Sequence, residues 1–466
     1  MANGTATEQL DWLAMIFLGA DNSLFRFGND LIDEVRRVGS SDRVAVVLER
    51  DPTNPGEQTS RGEVRNGRWR SKEIGLTDGD AKAVVDFVRT VKRQFRAQNR
   101  LLIVWDHGNG WQNVHAFEKV APLAQQSDSE NDPSEALETV ALSNAIADVR
   151  IDVLGFDSCL MSMIEIAYQL RGRVQYMVAS ENVVPADKGW PYDSILNTLT
   201  IRPEMPPEEL VRSMVQAFSG GYNGSSDPVT LSALDLSNVE QTVKAISNLS
   251  RELIASCSNG GRQSVLMARR RCQSFGNSDY IDLVSFCIEL QKLLRGTAVA
   301  EAAARVRERV GELVVAHTRS SVSSIRNAHG VSIYFPDRPI SRLYEQLDFA
   351  QRSGWLAFLM MIVPAVKPSE PLVAPRIVSQ SIARSGGSYE QPNVCSDCKK
   401  KTKTRPSAKT KATRPKTTKT TKTTKTTNKG CRGYTACGEG VSPPEDTKTH
   451  SPLSSGGGAR ISRKLS

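Results

Sequence analysis

Two stretches decide the fold of this chain, LLIVWDHGNGW (101–111) and IDVLGFDSCLMSMIEIAYQL (151–170). Each opens with a run of Leu, Ile and Val, which is typical of a strand that is covered on both faces. Each run then breaks at a small polar turn that carries one reactive side chain, His107 in the first stretch and Cys159 in the second. If both runs are parallel strands of one sheet, these two side chains emerge at the same carboxyl edge.

A cysteine and a histidine at one sheet edge are what a cysteine-nucleophile hydrolase needs. A thiol becomes a thiolate near neutral pH when a base or a cation lies close to it, and a histidine can be either. We expect Cys159 to attack the substrate carbonyl and His107 to protonate the departing amine. The backbone N–H groups of Gly108 and Cys159 are the predicted oxyanion donors, because Gly108 lets a substrate approach and Cys159 is expected to open a helix.

The surrounding segments alternate between strand and helix patterns. WLAMIFLGA and RVAVVLERD precede the His107 strand and VQYMVASEN follows the Cys159 segment, and all three have strand composition. The segment RGEVRNGRWRSKEI predicts a hairpin that turns at Asn66-Gly67. Helical spacing between these strands completes a βαβ series. The predicted fold is therefore α/β, a mainly parallel central sheet with helices on both faces.

Three regions are predicted along the chain. Residues 1–204 form the catalytic core, and residues 205–366 form a helix-rich continuation, with a long helix near 296–316. Residues 367–466 are a linker followed by a Lys/Thr-rich tail. The Lys/Thr repeat at 399–430 has almost no apolar content, cannot build a core and is expected to be disordered.

The positive charge is concentrated in the tail. The chain has a formal net charge of +9, but residues 391–466 hold 18 Lys plus Arg against 4 Asp plus Glu, so the rest is mildly acidic. Such a tail could bind nucleic acid or another polyanion by counterion release, or remain a solvated linker with no partner. The spacing of its cysteines, Cys395 and Cys398 followed by Cys431 and Cys437, is unfavourable for zinc.

The location expected from the sequence is cytoplasmic. The first residues lack a basic signal-peptide region, and the apolar run from Leu13 to Leu18 is too short to span a bilayer. The cysteines at 159, 257, 272 and 287 show no disulfide-framework spacing. No metal site and no required cofactor are predicted.

Seven blocks carry a resemblance to a known family. DHGNGW, FDSCLM, ASEN, GWPYDSIL, LSALDLS, SDYIDL and HGVSIYFP occur here in the order seen in the clostripain family of cysteine peptidases. The resemblance covers roughly residues 10–360. It implies a caspase-like α/β/α fold, His107 and Cys159 as the catalytic dyad, and endopeptidase activity after Arg or Lys. Calcium, which some relatives need, is suggested by the resemblance alone, since no EF-hand-type ligand run is present.

Acidic residues near the nucleophile are candidates for binding a basic substrate side chain. Asp157 lies two residues before Cys159 on the same strand face, and a carboxylate there could pair with a guanidinium group. Asp187 is the second candidate, and the resemblance supports both; Glu181 is a weaker one. The alternative for Asp157 is to cap the following helix. Lys188 departs from the family pattern and could partly neutralise the pocket.

A self-cleavage site is predicted between the two catalytic strands. Residues 112–138 form a long polar segment, and Lys119 is the only Lys or Arg between His107 and Arg150. Relatives are processed between the His and Cys motifs, so we expect cleavage after Lys119 to activate the enzyme. The alternative is a surface loop that is never cut.

The predicted function is that of an intracellular cysteine endopeptidase acting on proteins or peptides after Arg or Lys. Two alternatives stay open. One is a catalytically idle caspase-like module that serves as a tethered binding protein, and the other is a polyanion-binding or nucleic-acid-binding protein that acts through its basic tail.

Overall fold

A computed structural model of the chain describes residues 9–19, 24–51, 58–75, 81–112 and 138–363. The predicted cleavage site at Lys119 and the predicted tail lie outside these residues. Within the described ranges, no helix has both the length and the apolar content needed to cross a membrane.

The described ranges contain eleven strands and twelve α-helices. The strands are Leu10–Leu18 (β1), Val44–Arg50 (β2), Ser60–Arg65 (β3), Arg68–Glu73 (β4), Ala97–Trp105 (β5), Ile151–Asp157 (β6), Val174–Ala179 (β7), Thr230–Asp235 (β8), Tyr280–Asp282 (β9), Val314–Arg319 (β10) and Ser332–Tyr334 (β11). The helices are Phe25–Val38 (α1), Ala81–Gln94 (α2), Glu138–Ala145 (α3), Ile164–Gln169 (α4), Tyr192–Ile201 (α5), Pro207–Gly221 (α6), Val239–Ser256 (α7), Arg262–Arg271 (α8), Leu283–Leu293 (α9), Ala298–Leu313 (α10), Asp348–Arg352 (α11) and Trp355–Ile362 (α12).

Nine of the described strands form one sheet in the order β10-β8-β7-β6-β5-β1-β2-β3-β4, and β9 pairs with β11 in a small second sheet. The central strands from β7 to β2 run parallel, while β8, β10, β3 and β4 join antiparallel at the two edges. The predicted α/β fold with a mainly parallel sheet is confirmed. So is the hairpin, where Asn66 and Gly67 both have positive φ.

Both faces of the sheet are covered, which explains the continuous apolar runs of its central strands. Successive residues of β1 alternate between two hydrophobic clusters: Leu13, Met15 and Phe17 face one, while Trp12 and Ala14 face the other. Helices α1, α5 and α6 contribute to the second cluster, and the remaining helices contribute to the first. The result is a three-layer sandwich whose carboxyl edge carries the reactive residues.

The expectation that a helix begins at Cys159 is wrong. After this residue the chain turns at Leu160, which has φ of 65°, and then runs extended until α4 begins. The backbone N–H of Leu160 donates to the Asn182 carbonyl at 3.1 Å, and that of Ser162 donates to the Ser180 carbonyl at 2.8 Å. These bonds to a distant segment replace helical ones, so no helix N-terminus lies at the thiol.

The helix predicted near 296–316 ends earlier than expected, because α10 stops at Leu313 and β10 follows directly. The first residues of β10, Val314 and Val315, are β-branched and suit a strand. This strand pairs antiparallel with β8. Residues 205–366 therefore contribute two strands to the same sheet as residues 1–204.

Candidate active site

The two catalytic candidates lie on neighbouring parallel strands. Trp105 of β5 and Asp157 of β6 are register partners and are the last residues of their strands. His107 and Cys159 each follow two residues later, beyond the carboxyl edge of the sheet. Adjacent strands are separated by about 4.8 Å, so the shared register puts the two residues side by side.

The backbone of Gly108 touches the backbone of Cys159. A Cβ atom added to Gly108 would lie 2.2 Å from the Cys159 carbonyl oxygen and 2.9 Å from its amide nitrogen, closer than real Cβ contacts allow. The space that we expected a substrate to use is therefore filled by the backbone of Cys159. Only glycine allows the two segments to approach this closely.

His107 is buried, with 5% of its surface exposed. Burial lowers the pKa of its imidazole, because a charged ring would lose its hydration there. The ring is therefore neutral near pH 7. A neutral imidazole can accept a proton from a thiol and later return it to a leaving group.

Aromatic residues from distant segments hold the loop that carries His107. The Tyr280 hydroxyl donates to the Asn109 carbonyl at 2.6 Å, and Gly110, with φ of 65°, packs against the Tyr280 ring. Trp111 is fully buried and makes an edge contact with the ring of Tyr334, with centroids 5.1 Å apart. Sequence reasoning missed these supports, although Tyr280 and Tyr334 lie in two of the blocks that carry the family resemblance.

The thiol of Cys159 is also buried, with no exposed surface. Its Sγ accepts a hydrogen bond from the Val184 backbone N–H at 3.4 Å and lies 3.9 Å from the Val184 carbonyl oxygen. Val184 belongs to the segment that follows β7, and this segment covers the Cys159 thiol in this structure. The sequence offered no signal for Val184, because its contribution comes from its backbone.

Asp157 is a fully buried carboxyl group beside the nucleophile. Its Oδ2 accepts from the Tyr192 hydroxyl at 2.9 Å and from the Trp190 backbone N–H at 3.4 Å. Its Oδ1 is buried without a hydrogen-bond partner among the described residues. Burial raises the pKa of this carboxyl to about 7. Asp157 does not cap the following helix, because α4 begins at Ile164 without a side-chain cap.

Asp187 lies on an exposed turn above this region. The turn closes where the Gly189 N–H donates to the Pro185 carbonyl at 2.8 Å, and Gly189 has φ of 48°. The neighbouring Lys188 places its Nζ 4.2 Å from the centroid of the Tyr222 ring. The Tyr222 hydroxyl donates to the Gly189 carbonyl at 3.1 Å, which ties the turn to the end of α6.

Glu181 faces a different cluster. Its Oε2 accepts from the Gly330 N–H at 2.8 Å and lies 3.8 Å from His317 Nε2. Burial and the neighbouring Asp282 raise its pKa well above the usual value, while Asp282 itself binds His329 Nδ1 at 2.9 Å. Burial lowers the pKa of His317 to about 4. The cluster joins the end of β7 to β9, β10 and the chain before β11, which is a structural role.

The described part of the chain contains no group of three or more His, Cys, Asp or Glu side chains placed to hold a metal ion. The Asp157 carboxyl accepts a hydrogen bond from Tyr192, and the Glu181 carboxyl accepts one from Gly330. No chemical step is assigned to calcium, which the family resemblance alone suggests.

The α/β/α sandwich, with a cysteine and a histidine adjacent at its carboxyl edge, is the architecture of caspase-like cysteine peptidases. The chain belongs to the Clostripain family, whose model matches residues 16–360, and it is thus a cysteine-type peptidase. The predicted family is confirmed.

Solved structures of similar fold are C11 cysteine proteases. One is a secreted C11 cysteine protease from Bacteroides thetaiotaomicron in complex with an irreversible peptide inhibitor, at 18% identity and a TM-score of 0.56, covering 74% of this chain and 99% of that one. Another is an inactive zymogen C11 protease from Parabacteroides distasonis, at 17% identity and a TM-score of 0.55, covering 74% and 98%. At these identities the likeness concerns the fold. No curated protein sequence matches the chain.

Proposed function

We propose that this cysteine peptidase is an endopeptidase that cleaves after Arg or Lys through Cys159 and His107. The imidazole takes the thiol proton as sulfur attacks the scissile carbonyl, and it gives that proton to the departing amine. Water then attacks the resulting thioester, and the thiol is regenerated as the acid product leaves. The backbone N–H groups of Gly108 and Cys159 are proposed to stabilise the oxyanion, since the two backbones are in contact.

The observation that carries the proposed specificity is the unpartnered Oδ1 of Asp157. A buried carboxylate without a full set of partners is costly, and no basic side chain of the described residues pairs with it. An arginine or lysine side chain of the substrate would supply the missing charge and hydrogen bonds. Ionisation of a group whose pKa is about 7 would accompany that pairing. Asp187 is proposed as a second carboxylate at the entrance.

Substrate access requires the segment at 184–190 to move. It covers the thiol through Val184 and covers Asp157 through Trp190. The arrangement in which residues 184–190 cover the thiol and Asp157 is therefore taken as the resting state of the proposed enzyme. Cleavage after Lys119 is the proposed activating event. Lys119 is the only Lys or Arg between His107 and Arg150, so an Arg- or Lys-specific enzyme could cut this segment only there.

A fluorogenic peptide assay tests the specificity and the nucleophile together. Matched peptides with Arg, Lys or citrulline before the scissile bond separate charge from shape, because citrulline is the neutral counterpart of arginine. We expect turnover of the Arg and Lys peptides only. Cys159→Ala should abolish it, whereas Cys257→Ala, a half-buried cysteine after α7, should not.

The buried thiol is the observation that favours the alternative, a caspase-like binding module without catalysis. Absence of turnover in the wild type under reducing conditions, with and without calcium, would support that alternative.

Self-cleavage is tested by N-terminal sequencing of the incubated protein. A new N-terminus at Val120 should form in the wild type and be missing from Cys159→Ala and Lys119→Ala; its formation in Cys159→Ala would contradict the proposal.

A further inference from the structure

Lys188 is an exposed lysine whose ammonium group lies over an aromatic ring. Its Nζ lies 4.2 Å from the centroid of the Tyr222 ring. Among the described residues it makes no ion pair, although Asp187 is its neighbour in sequence. A cation over a tyrosine face is attracted by the quadrupole of the ring.

The Tyr222 ring is a good surface for a cation. Tyr222 is 3% exposed, and its hydroxyl is fixed by the Gly189 carbonyl. Burial first, and then the negative charge of the nearby Asp157, Asp227 and Asp187, raises the pKa of the Tyr222 phenol above its ordinary value. The ring therefore combines an electron-rich face with a negative surrounding field.

The same turn covers the carboxyl group proposed to bind the substrate. A Cβ atom on Gly189 would lie 3.4 Å from Asp157 Oδ2, and the next residue, Trp190, donates its N–H to that oxygen. The turn begins at Pro185, directly after Val184, which covers the Cys159 thiol. Contacts that hold this turn down therefore keep both the nucleophile and Asp157 out of solvent.

We propose that the Tyr222 ring is part of the subsite for the substrate's Arg or Lys side chain and that Lys188 is its internal occupant in the closed state. The inference rests on the proposed Arg/Lys specificity. A substrate cation would displace Lys188 from the ring, and the turn would lift as the substrate enters. Tyr222 is thus a specificity-determining residue, and Lys188 is a competitor within the chain.

The binding test uses agmatine, which carries the arginine side chain without a scissile bond, and the full-length protein. An exposed cation–π contact corresponds to about a two- to fivefold change in an equilibrium. We expect Lys188→Met to tighten the agmatine Kd by that factor in calorimetry. Lys188→Arg, which keeps the cation, should behave like the wild type, and so should Lys244→Met, an exposed lysine on α7.

The role of Tyr222 is tested in the Lys188→Met background. Tyr222→Leu should weaken agmatine binding there, because the ring is lost, whereas Tyr222→Phe should keep most of it. Thermal unfolding checks that each variant is folded. If the leucine variant does not fold, Tyr222→Phe, Lys188→Met and Lys188→Arg still test whether Lys188 competes for the ring, because these variants leave the aromatic ring in place. An unchanged agmatine Kd in Lys188→Met would overturn the inference.

A second readout needs no cationic ligand. Iodoacetamide is small and neutral, so its rate of reaction with Cys159, followed by mass spectrometry of the peptide, reports opening of the turn. We expect a two- to fivefold faster reaction in Lys188→Met. Equal rates in Lys188→Met and the wild type would overturn the occupant role even if Arg peptides are cleaved. Failure of agmatine to bind any variant, with no Arg or Lys turnover, would overturn the proposed function as well.

Discussion

At the scale of single residues, the site depends on groups that the fold keeps away from water. Asp157 and His107 are both buried, and burial shifts each toward its neutral form: the pKa of the carboxyl rises and that of the imidazole falls. Each of the two residues is therefore less charged in this closed arrangement than its ordinary pKa would give. A cationic substrate would reverse this balance for Asp157, because pairing favours the ionised carboxylate.

The first prediction concerns Asp157→Asn. The amide can still accept from Tyr192 and Trp190, so the contacts survive, but the charge is lost. Cleavage after Arg should fall by about a hundredfold or more, as expected when one partner of a buried charge pair is deleted. This is measured as kcat/KM on the Arg peptide. Unchanged kcat/KM would move the specificity role to Asp187.

The same variant has a stability readout. The Asp157 carboxyl, whose pKa is about 7 in the folded state against an ordinary value of 3.8, stabilises the folded state while it is protonated. This contribution is lost as pH rises from about 4 through 7. The total is on the order of 4 kcal/mol. Urea unfolding at pH 5 and pH 8 should therefore show a smaller pH dependence in Asp157→Asn than in the wild type.

The second prediction concerns Gly108→Ala. The new Cβ would meet the Cys159 backbone at 2.2 Å, so the ends of β5 and β6 must separate. We expect a loss of about 1–3 kcal/mol in the free energy of unfolding and a fall in kcat of at least tenfold. Gly311→Ala, in α10 with open space around it, is the control and should be neutral or stabilising. Full activity in Gly108→Ala would contradict the proposed oxyanion pair.

At the scale of elements, the site is assembled by segments that follow strands. The loop after β5 carries His107, the turn after β6 carries Cys159, and the segment after β7 covers both the thiol and Asp157. The rigid parallel strands fix where these segments begin, and nonlocal bonds fix how they continue. The extended course after Cys159, bonded to Ser180 and Asn182, is an example.

The third prediction concerns the edge strand β10. The side chain of His317 lies among Glu181, Asp282, His329 and Arg319, and burial lowers its pKa to about 4. Because the unfolded chain protonates this residue near pH 6.5, the wild type should lose about 3 kcal/mol of stability as pH falls from 6.5 to 4. His317→Gln should lack this loss.

Unfolding of both proteins at pH 7.5 and pH 4.5 measures the difference. The raised pKa of Glu181 gives a pH dependence of opposite sign, because its contribution to stability is lost as pH rises above the ordinary glutamate pKa of 4.5. The part of this pH dependence that the wild type and His317→Gln share cancels when their free energies of unfolding are compared. Identical pH dependence in the two proteins would show that His317 is not protonated differently on unfolding.

At the scale of the whole molecule, the proposed chemistry lies within residues 105–335, and the excess positive charge lies in residues 391–466. The two properties are thus separated along the chain. Of the first region the structure describes residues 105–112 and 138–335, and the second region stays a sequence-based prediction.

The fourth prediction follows from this separation. A chain that ends at residue 366 should keep kcat/KM on the Arg peptide within about twofold, because it retains every residue of the proposed site. It should elute from immobilised DNA at lower salt than the full chain if the tail binds polyanions. Elution of both proteins at the same salt concentration would show that the tail does not bind DNA. Loss of activity in the shortened chain would show that the tail supports the fold or the site.

The sequence by itself determined the sheet, the two strand ends and the pair His107 and Cys159, because apolar runs and polar turns are local patterns. Tertiary structure decided what surrounds them. The backbone of Val184 against the thiol, the hydroxyl of Tyr192 on Asp157 and the Lys188 contact with the ring of Tyr222 all join segments far apart in sequence. No local pattern encodes such contacts, since they depend on which backbone and side-chain groups lack nearer partners once the sheet has formed.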